Sequence, residues 1–268
     1  MHPLPDARTR RQRPDISVIV PVYQNADTLR ELYERLSHVL IGLQLSYEFL
    51  FVDDACPKGS SIVLRELARE DVHVAVLELK RNVGQQHAIL TGLKYSVGER
   101  LVVIDADLQD PPEAIPELLA KMREGYAAVF AGRRGPYEPP LRLFTSRMFK
   151  ELLHLLCGVP ADAGPFVVMT RDLSERVLAT ANPNPHLVTL IGCTRLPVIS
   201  IPVARAQRPS GSSGHSSWAR FRLALSAVEF ALLCKLWPNR EILQHRIQDA
   251  PIANRIGARF EIRNKRGE

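Results

Sequence analysis

Short runs rich in valine and isoleucine recur through the first half of the chain, at residues 16–20, 49–52, 72–79, 101–104 and 127–131. Continuous apolar runs of this length are typical of strands buried on both faces, as in a parallel sheet covered by helices. Between them the apolar period changes. Leu29, Leu32, Tyr33, Leu36, Val39 and Leu43 keep helical spacing behind Asp27, which the pattern assigns as the N-cap. The segment 112–124 carries proline in its first turn and is followed by Gly125, the usual asymmetry of a helix start and stop. A β-α-β-α order over residues 16–131 requires right-handed crossovers, and it predicts an α/β fold with a doubly wound, mostly parallel sheet. No internal repeat is present.

Beyond Gly132 the pattern loosens into a loop rich in proline and arginine, a helix at 141–156 and strands at 166–169 and 198–203. The Gly/Ser-rich segment 210–217 reads as a mobile loop, followed by a helix at 218–237 and a charged tail. The longest apolar stretch, 223–237, is broken by Ser226, Glu229 and Lys235 and falls short of the ~20 residues a spanning helix needs, so no transmembrane segment is expected. The first 14 residues, with Arg8, Arg10, Arg11 and Arg13, lack the apolar core of a secretory signal and read as a disordered basic tail.

With 268 residues, 46% of them hydrophobic, the chain can build one large domain with tails. A net charge of +6 and a pI of about 9.3 favour an anionic partner: a nucleotide, a lipid phosphate or an acidic membrane surface. Cys56, Cys157, Cys193 and Cys234 lie far apart in sequence with no Cys-x-x-Cys pair, which signals neither a zinc site nor a disulfide framework and fits a reducing cytoplasm.

In open α/β sheets ligands bind beyond the carboxyl ends of the strands. Asp53 and Asp54 follow the second predicted strand, and Asp105 and Asp107 follow the fourth. Alternate residues of an extended segment point the same way, so Asp105 and Asp107 are expected to present two carboxylates to one point. At ~4 Å two such charges repel by roughly 4 kcal/mol at an effective dielectric of 20. Mg²⁺ or Mn²⁺ offsets that cost and completes its shell with water and phosphate oxygens, and Gln109 adds a neutral oxygen.

The ordered set Val20-Pro21-Val22-Tyr23, Val52-Asp53-Asp54, Arg81-Asn82-Val83-Gly84-Gln85-Gln86 and Asp105-Ala106-Asp107-Leu108-Gln109-Asp110-Pro111-Pro112-Glu113 resembles the family 2 glycosyltransferases. The likeness covers roughly residues 16–132 and is greatest to the subgroup that acts on dolichyl and polyprenyl phosphates. It implies the A-type nucleotide-diphospho-sugar transferase fold, a catalytic domain over 15–209 and a C-terminal section, 210–268, of mobile loop, amphipathic helix and charged tail. By that resemblance Pro21, Tyr23, Asp53 and Asp54 hold the nucleotide, while Asp105, Asp107 and Gln109 bind Mg²⁺ or Mn²⁺ on the diphosphate of a UDP- or GDP-sugar. It also implies inversion at the anomeric carbon. Asn25 stands where relatives often have glutamate.

A hydroxyl acceptor needs a general base, whereas a lipid phosphate is already anionic and needs cations to position it. Residues 166–192 offer no convincing base pair, while arginines are frequent, with Arg133 and Arg208 the best candidates for catalytic and acceptor-phosphate contacts. Arg208, Gly211, Ser213 and His215 resemble the Arg-x-x-Gly-x-Ser-x-Tyr stretch of polyprenyl-phosphate enzymes, which adds Ser213 to the acceptor site. Val167 stands where relatives often carry arginine. Two acceptors stay open, polyprenyl phosphate and a glycan hydroxyl of a surface polysaccharide, beside a third reading as a non-catalytic sugar-nucleotide binder; nucleic acid is not an expected partner. Trp218, Phe221, Leu225, Val228, Leu232 and Leu236 form a stripe at helical spacing that either packs on the domain or lies on the cytoplasmic face of a membrane.

Overall fold

A computed structural model describes residues 13–134, 140–180, 184–206, 217–236 and 252–257, with the side chains of 133–148, 217–223 and 252–257 outside that description. Its centre is a sheet of eight strands: β1 (Ile16–Val22), β2 (Tyr47–Asp53), β3 (Val74–Leu79), β4 (Arg100–Val103), β5 (Ala128–Arg134), β6 (Val167–Thr170), β7 (Val198–Ala204) and β8 (Ile252–Gly257). They run in the order β7-β5-β6-β4-β1-β2-β3-β8. The pairs β1–β2, β1–β4, β2–β3 and β5–β7 are parallel, while β6 is antiparallel to both its neighbours and β8 to β3. The sheet is thus mostly parallel, as expected.

Side chains alternate across the strands and so divide the core in two. Val18, Val20, Phe49, Phe51 and Val76 face the helices α1 (Ala26–Gly42), α2 (Ser60–Glu70) and α4 (Ile115–Met122). Ile19, Leu101, Val103, Phe130 and Val167 face α3 (Gln85–Tyr95), α5 (Pro140–Cys157), α6 (Arg171–Ala179), α7 (Leu187–Cys193) and α8 (Ser217–Leu236). Helix α3 lies flush on β1 and β2 because Gly92 has no side chain there: a Cβ would strike Ile19 Cγ2 and press on Val52.

Four expectations change. The N-cap of α1 is Asn25, not Asp27, which sits in the first turn, and no side chain caps that end. The segment 112–124 is two pieces, a 3-10 turn Pro112–Ala114 and then α4, since Pro116 falls in the opening turn of α4. Strand β8 lies in what the sequence presents as a charged tail. The stripe predicted on the last helix is divided: α8 turns Ala227, Phe230, Ala231 and Cys234 into the core, with Val228 partly buried, and leaves Leu225, Leu232 and Leu236 exposed. Trp218 and Phe221 have side chains outside the described residues.

Candidate functional site

Strand order sets the location. The chain leaves β1 for β2 on one side and returns through α3 to β4 on the other, so β1 is the switch point where the loops after β1, β2 and β4 diverge and open a crevice. Tyr23 follows β1 and is 38% exposed, Pro21 is buried within β1, Asp53 ends β2 with Asp54 next to it, and Asp105 and Asp107 follow β4. Among the described residues five non-glycine positions have positive φ, and three of them lie in these loops: Gln24 (61°), Ala55 (51°) and Leu108 (59°). Left-handed backbone at such residues costs energy and tends to gather where a loop is shaped for a ligand.

The two acid clusters are joined through the first turn of α3. Asp54 accepts hydrogen bonds from the backbone N–H of Val83 (2.7 Å) and Gly84 (2.8 Å), so it anchors the loop that opens α3. The glycine at 84 permits its φ of 88°. The next residue, Gln85, donates from Nε2 to Asp105 Oδ1 at 2.5 Å. Gln86 accepts from Leu187 N at 2.8 Å and ties the same turn to α7. Asp53 is held differently: its Oδ1 accepts from Cys56 N (3.0 Å), and burial, together with the charges of Glu78 and Asp54, holds its carboxyl above the usual range.

The strand that the sequence extends to Asp107 stops earlier: β4 ends at Val103, Asp105 lies past it and Asp107 sits in a turn. Asp107 Oδ1 accepts from Gln109 N at 3.2 Å, and Thr28 of α1 donates to Ala106 O at 2.6 Å. Three residues on, buried Asp110 pairs with Arg205, which follows β7, at 2.7 Å, while Ala206 N donates to Gln109 O at 3.0 Å. Burial pulls the Arg205 guanidinium down, but the bond to Asp110 and the charges of Asp105 and Asp107 outweigh it and hold it above its ordinary value. The acidic turn is therefore clamped from two sides.

Sequence reasoning missed Thr28, Gln85 as a partner of Asp105, and the Arg205–Asp110 pair; their separations of 78, 20 and 95 residues leave no local signal. Arg133 is in β5, its backbone in register with Val203 of β7, and its side chain lies outside the described residues. Arg208, Ser213 and His215 lie outside them altogether. Val167 is fully buried in β6 between Val103 and Phe130, which accounts for an apolar residue there.

Two carboxylates on a polar turn, with a cation beside them, suit a divalent ion that keeps water and phosphate in its shell. They do not form a closed cage: among the described residues no three His, Cys, Asp or Glu side chains are placed to hold a metal by themselves.

Crevice and strand order are those of the A-type glycosyltransferase fold. Residues 17–178 match the profile of glycosyl transferase family 2, and the chain belongs to that family. It is 33% identical over 215 residues to the uncharacterized glycosyltransferase YkcC of Bacillus subtilis, spanning 79% of this chain and 67% of that protein. It is also 33% identical over 204 residues to undecaprenyl-phosphate 4-deoxy-4-formamido-L-arabinose transferase of Klebsiella pneumoniae, spanning 75% of this chain and 62% of that one. Among solved structures it is similar to the mannosyltransferase PcManGT from Pyrobaculum calidifontis in complex with GDP-Man and Mn²⁺, with a TM-score of 0.56, 19% identity, and coverage of 84% of this chain and 73% of that one. Glucosyl-3-phosphoglycerate synthase from Mycobacterium tuberculosis, in complex with Mn²⁺, UDP and phosphoglyceric acid, gives a TM-score of 0.58 at 19% identity, covering 83% and 78%. At these identities the solved structures speak for the fold.

Proposed function

We propose that this glycosyltransferase moves a sugar from a UDP- or GDP-sugar to polyprenyl phosphate, with inversion and with the help of Mg²⁺ or Mn²⁺. The observation that carries the reading is the joining of the acid clusters after β2 and β4 at one switch-point crevice by the Asp54–Gly84 and Gln85–Asp105 hydrogen bonds. Support for the donor and metal comes from solved relatives whose complexes contain GDP-Man, UDP and Mn²⁺, and support for the acceptor from the undecaprenyl-phosphate transferase. The chain spans 62% of that transferase, so its acceptor is proposed here on likeness to a part.

In this reading Pro21, Tyr23 and Asp53 line the nucleotide pocket, and Asp54 serves it indirectly by fixing the loop at Val83 and Gly84. Asp105 and Asp107, with Gln109, would hold the divalent ion, which neutralises charge developing on the departing diphosphate. Arg205 keeps the acidic turn in place, and Arg133 and Arg208, with Ser213, would position the acceptor phosphate through their planar donors. A phosphate acceptor is anionic without a base.

No helix among the described residues is long and apolar enough to cross a membrane. Access to lipid in this proposal is peripheral, from the cytoplasmic face, through the exposed leucines of α5 (Leu152, Leu155) and α8 (Leu225, Leu232, Leu236) beside Lys235. Lys235 Nζ reaches Leu155 O at 3.1 Å and so joins the two helices at that surface.

The test is transfer of label from a panel of UDP- and GDP-sugars into the organic phase of a reaction holding polyprenyl phosphate and Mn²⁺ or Mg²⁺. Label is expected in the lipid, falling at least ~100-fold with Asp107→Ala, on the scale of losing a transition-state charge contact, and lost with EDTA. Label passed only to an aqueous glycan would replace the lipid acceptor with a hydroxyl. Bound donor with no turnover under any acceptor would leave a sugar-nucleotide binder.

A further inference from the structure

Glu78 is a buried carboxyl that the proposed reaction does not use. It lies on β3 directly beside Asp53 of β2, in parallel register, with 6% of its surface exposed against 3% for Asp53. Phe51 and Val76, two residues earlier on the same strands, pack in one cluster with Leu64 and Leu67 of α2, so alternation turns Asp53 and Glu78 to the α2 face as well. Neighbouring strands lie about 4.8 Å apart. Two carboxyls are thus held side by side, out of water, at the edge of the crevice.

One arginine answers them. Arg65 of α2 donates from Nε to Glu78 Oε1 at 2.6 Å and from Nη2 to Glu78 Oε2 at 2.7 Å, a bidentate pair. Asp53 takes a backbone partner instead, Cys56 N at 3.0 Å. Its other strand neighbour is apolar Val22 of β1, with Tyr23 following, and Asp54 is next along its own loop. Beyond Glu78, β8 sets Asn254 opposite, with its side chain outside the described residues.

We infer that Glu78, held by Arg65, is a positioning residue for the donor: it sets the charge on Asp53 and, through it, the pH range over which the nucleotide is bound. The inference rests on the proposed reading of Asp53 as a contact to that nucleotide. The bases of UDP and GDP each present a ring N–H, and the ionised carboxylate is the form that accepts it best. A charged neighbour makes that form harder to reach, because like charges repel strongly when buried. Arg65 offsets part of the repulsion. The balance at Asp53 agrees with this geometry: burial, then Glu78 and Asp54, hold its carboxyl above the usual range, while the Cys56 N–H and Arg65 act the other way. Nucleotide affinity therefore falls as the pH drops through the Asp53 midpoint, and Glu78 places that midpoint higher than it would otherwise be.

The experiment follows the Asp53 side-chain carboxyl carbon by NMR in the metal-free full chain from pH 7 downward, with Asp53→Asn as the assignment control. UDP and GDP affinities are measured by calorimetry over the same range with Mg²⁺. Glu78→Gln keeps the shape and an oxygen for Arg65; it should lower the midpoint and let nucleotide bind at a pH where the unchanged protein has lost it. Adding Arg65→Met to Glu78→Gln removes the cation too and should bring the midpoint back up. Glu78→Met repeats the first arm should the amide fail to fold. A purely structural role predicts neither shift, since both variants would then weaken binding alike at every pH. A midpoint that stays or rises in Glu78→Gln, or that is no higher in the double variant than in the single one, would overturn the inference, as would affinity that ignores the midpoint. If the unchanged protein binds neither UDP nor GDP at pH 7, the donor reading fails instead, and the carboxyl titration still decides whether Glu78 sets the charge on Asp53.

Discussion

Single residues carry the ionic behaviour of this molecule. His186, at the start of α7, contacts Thr189 Oγ1 through Nδ1 (2.8 Å) and sets its ring edge-on to Phe149, and burial pushes its pKa from 6.5 down to about 4. Between those values the unfolded chain takes a proton that the folded chain refuses. Stability is therefore full above pH 6.5 and falls as the pH drops toward 4, by up to about 3 kcal/mol and by less where the ring keeps solvent contact. Urea titrations from pH 7 to 4.5 should show this slope, and His186→Gln should flatten it. Arg205 offers a second test. Its partner Asp110 is 2% exposed, so Arg205→Ala leaves a buried charge without its main compensation and should cost about 3 kcal/mol or more in chemical denaturation. The double change Arg205→Ala with Asp110→Ala should recover part of that loss.

At the scale of elements, legibility followed burial. Strands β1 to β4 read clearly from sequence because both faces are covered and nearly every position is apolar. Helix α7 did not: its seven residues are almost all buried, so no polar face marks its period. Strand β8 holds Asn254 and Arg255 and owes its place to backbone pairing with β3, which composition does not report. In the site, the aspartates were visible as residue types after strands, but their bonds were not. Asp54 meets amides 29 and 30 residues away, and nothing local distinguishes it from a solvated carboxylate. The contact between α3 and the sheet gives a prediction at this scale. Gly92→Ala drives a methyl group into Ile19 and Val52 and should destabilise by roughly 1–3 kcal/mol. Because α3 also carries Gln85, donor affinity measured calorimetrically should weaken as well.

For the molecule as a whole, β8 has a protective position. It covers the outer edge of β3, whose residues Val74–Leu79 are all buried. An uncovered apolar edge strand is a template for pairing with other chains. Deleting residues 252–268 should therefore produce concentration-dependent association in light scattering, while the intact chain stays dispersed under the same conditions.

The clamp between Asp110 and Arg205 also sets a clock for biosynthesis. The two residues are 95 positions apart, and a ribosome adding 5–20 residues per second needs roughly 5–20 s to pass from one to the other. Through that interval the nascent chain already holds Asp105, Asp107 and Asp110 but lacks the arginine that steadies them. The acidic turn after β4 thus waits for a residue that follows β7 before it can hold its shape.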